Sequence, residues 1–301
     1  MRLNNLNLNQ LVVLDALLTE QSVKKAADKV FLTPAATSCS LAKLREFFED
    51  ELLTQVGKTM FLTHKAKCLQ QPVRDALLQI QAIINIDPSF DPKTSSCKIV
   101  IEASDYIFNI LVSGFLKKIT AQAPNFKFDL RLLGTQSLED LNAGEIDLLI
   151  APEFYMAEQH PKSFLFEDSW SCVVWEGHEL ADKKLSIDQY AQLGHIVTEW
   201  GAGRIMSSDE SSAVKQGIER NRVITIPNYM MIKDLLNETN RIATVQSMLA
   251  KKLCSNAPLK IVECPMNIAP LKEFVQCNRY KMQDPAVSWF KEELIKFAKT
   301  I

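Results

Sequence analysis

The chain has 301 residues, 47% apolar and 23% charged, enough to bury an ordinary core in two or more units. Thirty-four Lys/Arg against 36 Asp/Glu leave a net charge of −2, which argues against a strongly basic nucleic-acid binder. The start, MRLNNLNLNQLVV, lacks the long apolar stretch of a leader, and no apolar run approaches the roughly 18 residues that span a bilayer. A cytoplasmic protein with no membrane partner is therefore expected. Seven cysteines are scattered without a C-x-x-C pair or zinc-like grouping, so buried thiols in a reducing compartment are expected rather than a disulfide framework.

In chain order, Leu8, Leu11, Val12, Leu14 and Leu18 make a first short amphipathic helix. Ser22 is a plausible N-cap for a second, with Val23, Ala26, Ala27 and Val30 at helical spacing. Thr33 followed by Pro34 supplies a cap and a first-turn proline for a third. In that helix Thr37, Leu41, Leu44 and Phe48 fall on one arc, while Ala35, Ser38, Cys39, Ala42 and Lys43 fall on the other. A slim outer face with hydroxyls and an edge cation suits a major groove about 12 Å wide, and Ser40 and Arg45 fit the same picture. The short join matches a helix-turn-helix; a plain helical hairpin with a solvated face has the same periodicity.

ELLTQVGKTMFLT, residues 51–63, places two short strands around a Gly57-Lys58 turn, so a hairpin follows the third helix and the whole reads as a winged helix-turn-helix. Residues 65–86 form a longer helix in which Leu69, Val73, Leu77, Ile80 and Ile84 make a narrow seam suited to a partner helix, with Pro72 as a kink or a true start. The seam also fits packing on the chain's own core. Residues 1–86 carry ten Lys/Arg and eight Asp/Glu, net +2, leaving −4 for the rest.

DPSFDPKTSSC, residues 87–97, reads as a hinge. Beyond it, strands are expected at KIVIEAS, FKFDLRLL, IDLLIAP, SWSCVVW, HIVTEW, NRVITIP, RIATVQ and LKIVECP, with helices between several of them and a last helix over 284–300. This is a mostly parallel α/β arrangement. Ligands in such sheets sit beyond the carboxyl ends of the strands, which singles out Ser104, Thr135, Thr198 and Asn228. Enzymatic chemistry finds little support. His64, His160, His178 and His195 show no ligand spacing, WGAGR lacks a phosphate-loop Lys, and Ser104-Asp105 lacks the glycines of a nucleophile elbow. No catalytic residue, metal site or cofactor is expected.

Residues 22–63 resemble the winged helix-turn-helix of LysR-type transcriptional regulators, whose A-A-x-x-L-x-x-S-Q-P-A-V-S pattern aligns without gaps with AADKVFLTPAATSCSLAKLR. SDY, LNAGEIDLLIAP, RIAT and QDPAVSWFKEEL extend the likeness over the chain, in a form similar to the branch of nodulation and aromatic-catabolism regulators. The resemblance implies a DNA-binding domain at 1–63, a linker helix at 64–90 that pairs two subunits, and an effector-binding domain at 91–301. That domain would hold two Rossmann-like α/β subdomains, as in type-2 periplasmic binding proteins, at 97–166 plus 268–301 and at 167–267. It implies promoter DNA, a small-molecule effector such as an aromatic or organic acid, and a homodimer that doubles to a homotetramer. The DNA-facing residues would be Ser22, Thr37, Ser38, Cys39, Ser40, Lys43 and Lys58; the effector-facing ones Ser104, Thr135, Thr198, Trp200, Asn228 and Tyr229.

Two departures bear on base preference. Pro34-Ala35 stands where the family has Gln-Pro, and Gln55 where the wing carries arginine, leaving Lys58 as the wing's cation. The competing expectation is a cytosolic small-molecule binding protein or enzyme, with the N-terminal helices serving assembly alone.

Overall fold

The computed structural model describes residues 6–57, 59–84, 89–200 and 205–301, in two compact units at 1–86 and 87–301. In the first, α1 (Leu8–Glu20) starts from a capping box between Asn7 and Gln10. Helix α2 (Val23–Lys29) is capped by Ser22, and α3 (Pro34–Phe48) by Thr33, whose Oγ1 accepts from the Ala36 N–H at 3.2 Å. Strands β1 (Leu53–Val56) and β2 (Thr59–Leu62) pair antiparallel with Val56 opposite Thr59, and the turn begins at Gly57 with φ +64°, a conformation that favours glycine. Helix α4 (His64–Ile84) runs unbroken through Pro72.

The core of this unit joins Leu14, Leu17 and Leu18 of α1, Leu41, Leu44 and Phe48 of α3, Leu52 and Leu53 at the start of the wing, and Val73 of α4. Leu8 and Val12, expected on the buried side of α1, face solvent instead; Val13 and Leu17 take their place because the helix turns its 13–14–17–18 edge inward. The seam on α4 is divided. Val73 is buried and Leu69 and Leu77 pack against the unit's own core, while Arg74 pairs with Asp15 at 3.1 Å and Gln70 donates to the Leu18 carbonyl, fastening α4 to α1. Ile83 and Ile84 remain exposed.

The second unit starts with β3 (Lys98–Ala103), α5 (Asp105–Ile107), a π-helical turn over Phe108–Val112 and α6 (Ser113–Ile119). There follow β4 (Lys127–Leu132), α7 (Ser137–Ala143), β5 (Leu148–Pro152) and β6 (Lys162–Asp168). The chain then enters a second sheet with β7 (Trp170–Trp175), α8 (Ile187–Gln192), β8 (Gly194–Trp200), β9 (Ile205–Met206) and α9 (Ser208–Lys215). That part continues through β10 (Asn221–Ile226), α10 (Ile232–Leu236), β11 (Arg241–Gln246), α11 (Ser247–Cys254) and β12 (Leu259–Glu263). Strand β13 (Leu271–Gln276) and α12 (Pro285–Ala298) return to the first sheet.

The first sheet has the order β4-β3-β5-β13-β6 and the second β10-β8-β11-β7-β12, with β9 on β8. Each is parallel at one side and antiparallel at the other, because β6, β13, β7 and β12 are the strands that carry the chain across and back. Strand β6 runs on to Asp168, two residues past the expected crossing at 166. One continuous apolar core spans both sheets, from Tyr106, Phe115 and Phe290 to Tyr229, Ile232 and Leu249.

Candidate DNA-binding surface and effector domain

Helix α3 presents Ser38, Cys39 and Lys43 to solvent, with Ser40 half-buried. Among the described residues neither the Ser38 hydroxyl nor the Lys43 ammonium has a hydrogen-bond or ion-pair partner. Thr37 is a correction. It is fully buried and its hydroxyl donates to the Thr33 carbonyl at 3.1 Å, so it belongs to the inward arc with Leu41 and Leu44 and is out of reach of DNA. Ser22 is half-buried, and its Oγ accepts from the Lys25 N–H at 3.4 Å.

Arg45 is also not a groove residue. Its guanidinium donates to the carbonyls of Glu51 at 2.8 Å and Leu53 at 2.7 Å and pairs with the Glu51 carboxylate at 3.2 Å, clipping the end of α3 to the wing. The same corner is closed by Asp50, which accepts from the Leu52 N–H at 2.7 Å and the Thr63 hydroxyl at 2.6 Å. The Thr63 hydrogen bond, then that of Leu52, hold its carboxyl below the usual range. Gln55 turns its amide to the Gly57 carbonyl at 3.0 Å, and Lys58 lies outside the described residues. At the turn before α3, Phe31 has φ +55° and is 94% exposed, two departures at one residue from what a phenylalanine adopts by default.

In the C-terminal unit the six expected effector positions divide. Ser104 is buried with its Oγ accepting from the Ile107 N–H at 3.3 Å, so its hydroxyl caps α5. The next residue, Asp105, accepts from the backbone N–H groups of Tyr229 at 2.6 Å and Met230 at 3.3 Å, tying the first sheet's side to the second's. Tyr229 is buried and its hydroxyl accepts from Gln246 at 3.3 Å; the Trp200 ring lies 6.4 Å away, edge-on, with its buried Nε1 unpartnered among the described residues. Thr198 is buried beside them in β8, Asn228 is half-buried and Thr135 is exposed in the loop after β4.

None of the six lines the open cavity of about 520 Å³ that lies between the two sheets. Its walls are Pro152, Glu153 and Phe154 after β5, Met206, Ser208, Ser211, Ser212 and Lys215 on β9 and α9, and residues 268–272 where the chain returns to the first sheet. The sequence offered one signal for it, the serine-rich start of α9 in SDESSAVK, which carries no strand-end position.

Behind the cavity the crossing strands carry buried acids. Tyr106 donates to Asp168 at 2.8 Å, and the Met248 N–H adds a bond at 3.1 Å. Burial, then the nearby Asp168 charge, push the Glu273 carboxyl up to about 8, and its Oε2 has no hydrogen-bond partner among the described residues. Burial pushes the thiols of Cys97 and Cys277 up to about 11 and about 12, far from a nucleophile's range.

A winged helix-turn-helix followed by a two-sheet α/β domain with a cavity between the sheets defines a ligand-responsive DNA-binding protein. Residues 8–67 match the bacterial regulatory helix-turn-helix protein profile of the lysR family, and residues 94–299 match the LysR substrate binding domain. The chain is 34% identical over 301 residues to Nodulation protein D of Bradyrhizobium sp. (strain ANU 289), covering 100% of this chain and 89% of that protein. It is 36% identical over 299 residues to Nodulation protein D 2 of Rhizobium tropici, covering 99% and 95%. Among solved structures, a full-length OxyR variant from Pseudomonas aeruginosa superposes with a TM-score of 0.71 at 14% identity, covering 96% of this chain and 94% of that one. Full-length CbnR complexed with target DNA superposes with a TM-score of 0.57 at 13% identity, covering 97% and 99%. The chain belongs to the LysR family: it is a LysR-type transcriptional regulator with a DNA-binding helix-turn-helix and an effector-binding domain, not an enzyme. The competing expectation of an α/β binding protein or enzyme with merely assembling helices is set aside by this match.

Proposed function

We propose that this regulator recognises a promoter by laying α3 in the major groove. Ser38, Cys39 and Lys43 face the bases and phosphates, Ser22 and Ser40 flank them, and Lys58 lies on the adjoining backbone. The observation that carries this reading is the division of α3, with four bulky or capped side chains inside and a slim, unpartnered, singly cationic face outside. Residues 1–63 read the DNA, residues 64–90 pair two subunits, and residues 91–301 bind the effector. Exposed Ile83 and Ile84 support the pairing role for the far half of α4, since the near half is occupied by the unit's own core. Two such dimers make a homotetramer in the cytoplasm. The effector is a small organic molecule, an aromatic or organic acid, held between the two sheets; its binding shifts an existing equilibrium of subunit arrangement by its differential affinity.

Footprinting on the DNA that flanks the protein's own coding region, with and without candidate metabolites, tests the reading. Protection of two spaced half-sites that weakens steeply with salt is expected. Binding without sequence preference in a gel shift overturns it.

A further inference from the structure

The cavity described above combines three features that each point to a ligand. Each wall leaves apolar surface open: Phe154, after β5, is 70% and Met206, on β9, 45% exposed, and both line the cavity. On the wall that Met206 begins, Ser208, Ser211, Ser212 and Lys215 recur at helical spacing along α9, so three hydroxyl oxygens and an ammonium share one face, the Ser212 hydroxyl donating its proton to the Ser208 carbonyl at 2.8 Å. Lys272 supplies a second ammonium from β13. Among the described residues neither lysine has an ion-pair or hydrogen-bond partner, and the carboxylate on the wall, Glu153, is taken by Lys162 at 3.0 Å. Two positive charges are thus uncompensated beside an apolar surface.

The enclosure is also braced. Gln216 and Asn267 exchange hydrogen bonds at 2.9 and 3.2 Å, fixing the returning segment to the end of α9, and the Trp170 indole donates to the Ala269 carbonyl at 3.2 Å. A volume of about 520 Å³ lies within the range of preformed small-molecule sites. By contrast Ser104, Thr198 and Tyr229 are buried, the Ser104 oxygen already receives an N–H, and the Tyr229 hydroxyl is bonded to Gln246.

We infer that the effector sits in this cavity rather than on the strand-end positions, and that it is an organic anion with an apolar body whose acidic group is gripped between Lys215 and Lys272. The inference rests on the effector-binding reading above and adds the seat and charge of the ligand. Because Lys215 stands on the second sheet's side and Lys272 on the first's, one anionic group engages both walls. Its affinity therefore differs between wider and narrower separations, as an effector's must.

Calorimetric titration of the full-length protein with 8-anilinonaphthalene-1-sulfonate, an aromatic sulfonate, and with uncharged N-phenyl-1-naphthylamine of the same ring skeleton tests this. The sulfonate should bind roughly tenfold more tightly, and the double variant Lys215→Met, Lys272→Met should remove that advantage while changing the neutral probe's affinity less than about twofold. Phe154→Ala should weaken both probes. Equal affinity for the two probes, indifference to the double variant, or no binding of either overturns the inference. Loss of sulfonate binding in Thr135→Trp, with no response to the lysine pair, overturns the seat while leaving the effector-binding reading standing. That reading fails separately, if no metabolite changes the promoter footprint.

Discussion

The two units of this protein put their working surfaces together in opposite ways. In the N-terminal unit the exposed side chains proposed to face the groove come from one helix, fifteen consecutive residues with their own cap and first-turn proline. In the C-terminal unit the cavity is assembled from residues near 153, 210 and 270, which meet through strands that cross between sheets. A surface built on one helix is written in local periodicity; a surface built between sheets is written in topology, which periodicity does not encode.

The sharpest way to test that contrast is to damage one core alone. Leu44 is fully buried among α1, α3 and the wing. Leu44→Ala should cost the N-terminal unit about 2–5 kcal/mol and abolish promoter binding. Differential scanning calorimetry should show its transition lowered while the C-terminal unit's stays in place; movement of both transitions would mean that the units do not melt independently. Next in size is Lys43→Ala, expected to weaken promoter binding roughly tenfold and to reduce the salt slope by about 1, with an unchanged circular-dichroism spectrum. An unaltered slope would place Lys43 off the phosphates.

The C-terminal unit has its own probe in Glu273. An acid whose folded-state pKa lies above its unfolded value keeps a proton that the unfolded chain releases, so this group lowers stability as pH rises from about 4.5 towards about 8. Melting of the C-terminal unit followed across that window should fall with pH in the native chain and flatten in Glu273→Gln. A parallel decline in both proteins would assign the slope to other groups. The smallest effect is expected at Phe31, where Asn tolerates the left-handed backbone better than Phe; Phe31→Asn should raise the N-terminal unit's stability by about 0.5–1 kcal/mol, readable as a small rise in its melting temperature.

Most of the N-terminal unit was legible. Thr33-Pro34 marks the start of α3, the apolar arc of that helix marks its inside, and Gly57 marks the wing's turn. The same arc placed Thr37 inside, and it became a DNA candidate only through the family likeness; burial returns it to the core. The seam on α4 was ambiguous, because a row of Leu and Val fits a partner helix and α1 equally well, and only packing shows that Leu69, Val73 and Leu77 turn to their own core.

In the C-terminal unit eight strands were legible from apolar runs, but β6, the two-residue β9 and β13 were not. Strand β13 interrupts its apolar residues with Lys272 and Glu273, and Glu273 is buried, so no clean alternation remains. Strand β6 alternates only in part, with Phe164 half open to solvent. Both are held by pairing with residues about a hundred positions away, such as Leu271 opposite Asp168, a relation that no short window contains. The strand-end rule pointed to four residues that stand differently: the Ser104 hydroxyl caps α5, Thr198 is buried, Asn228 is half-buried and Thr135 is exposed. The open cavity is lined instead by residues after β5, on β9 and α9, and in the returning segment.

The guanidinium of Arg45 holds two carbonyls and a carboxylate of the segment leading into the wing from its seat near the end of α3. Helix and hairpin are thereby soldered into a single key with two teeth. Whatever tilts one tooth swings the other by the same angle, so in the proposed docking a bend imposed on the promoter is felt by helix and wing at once.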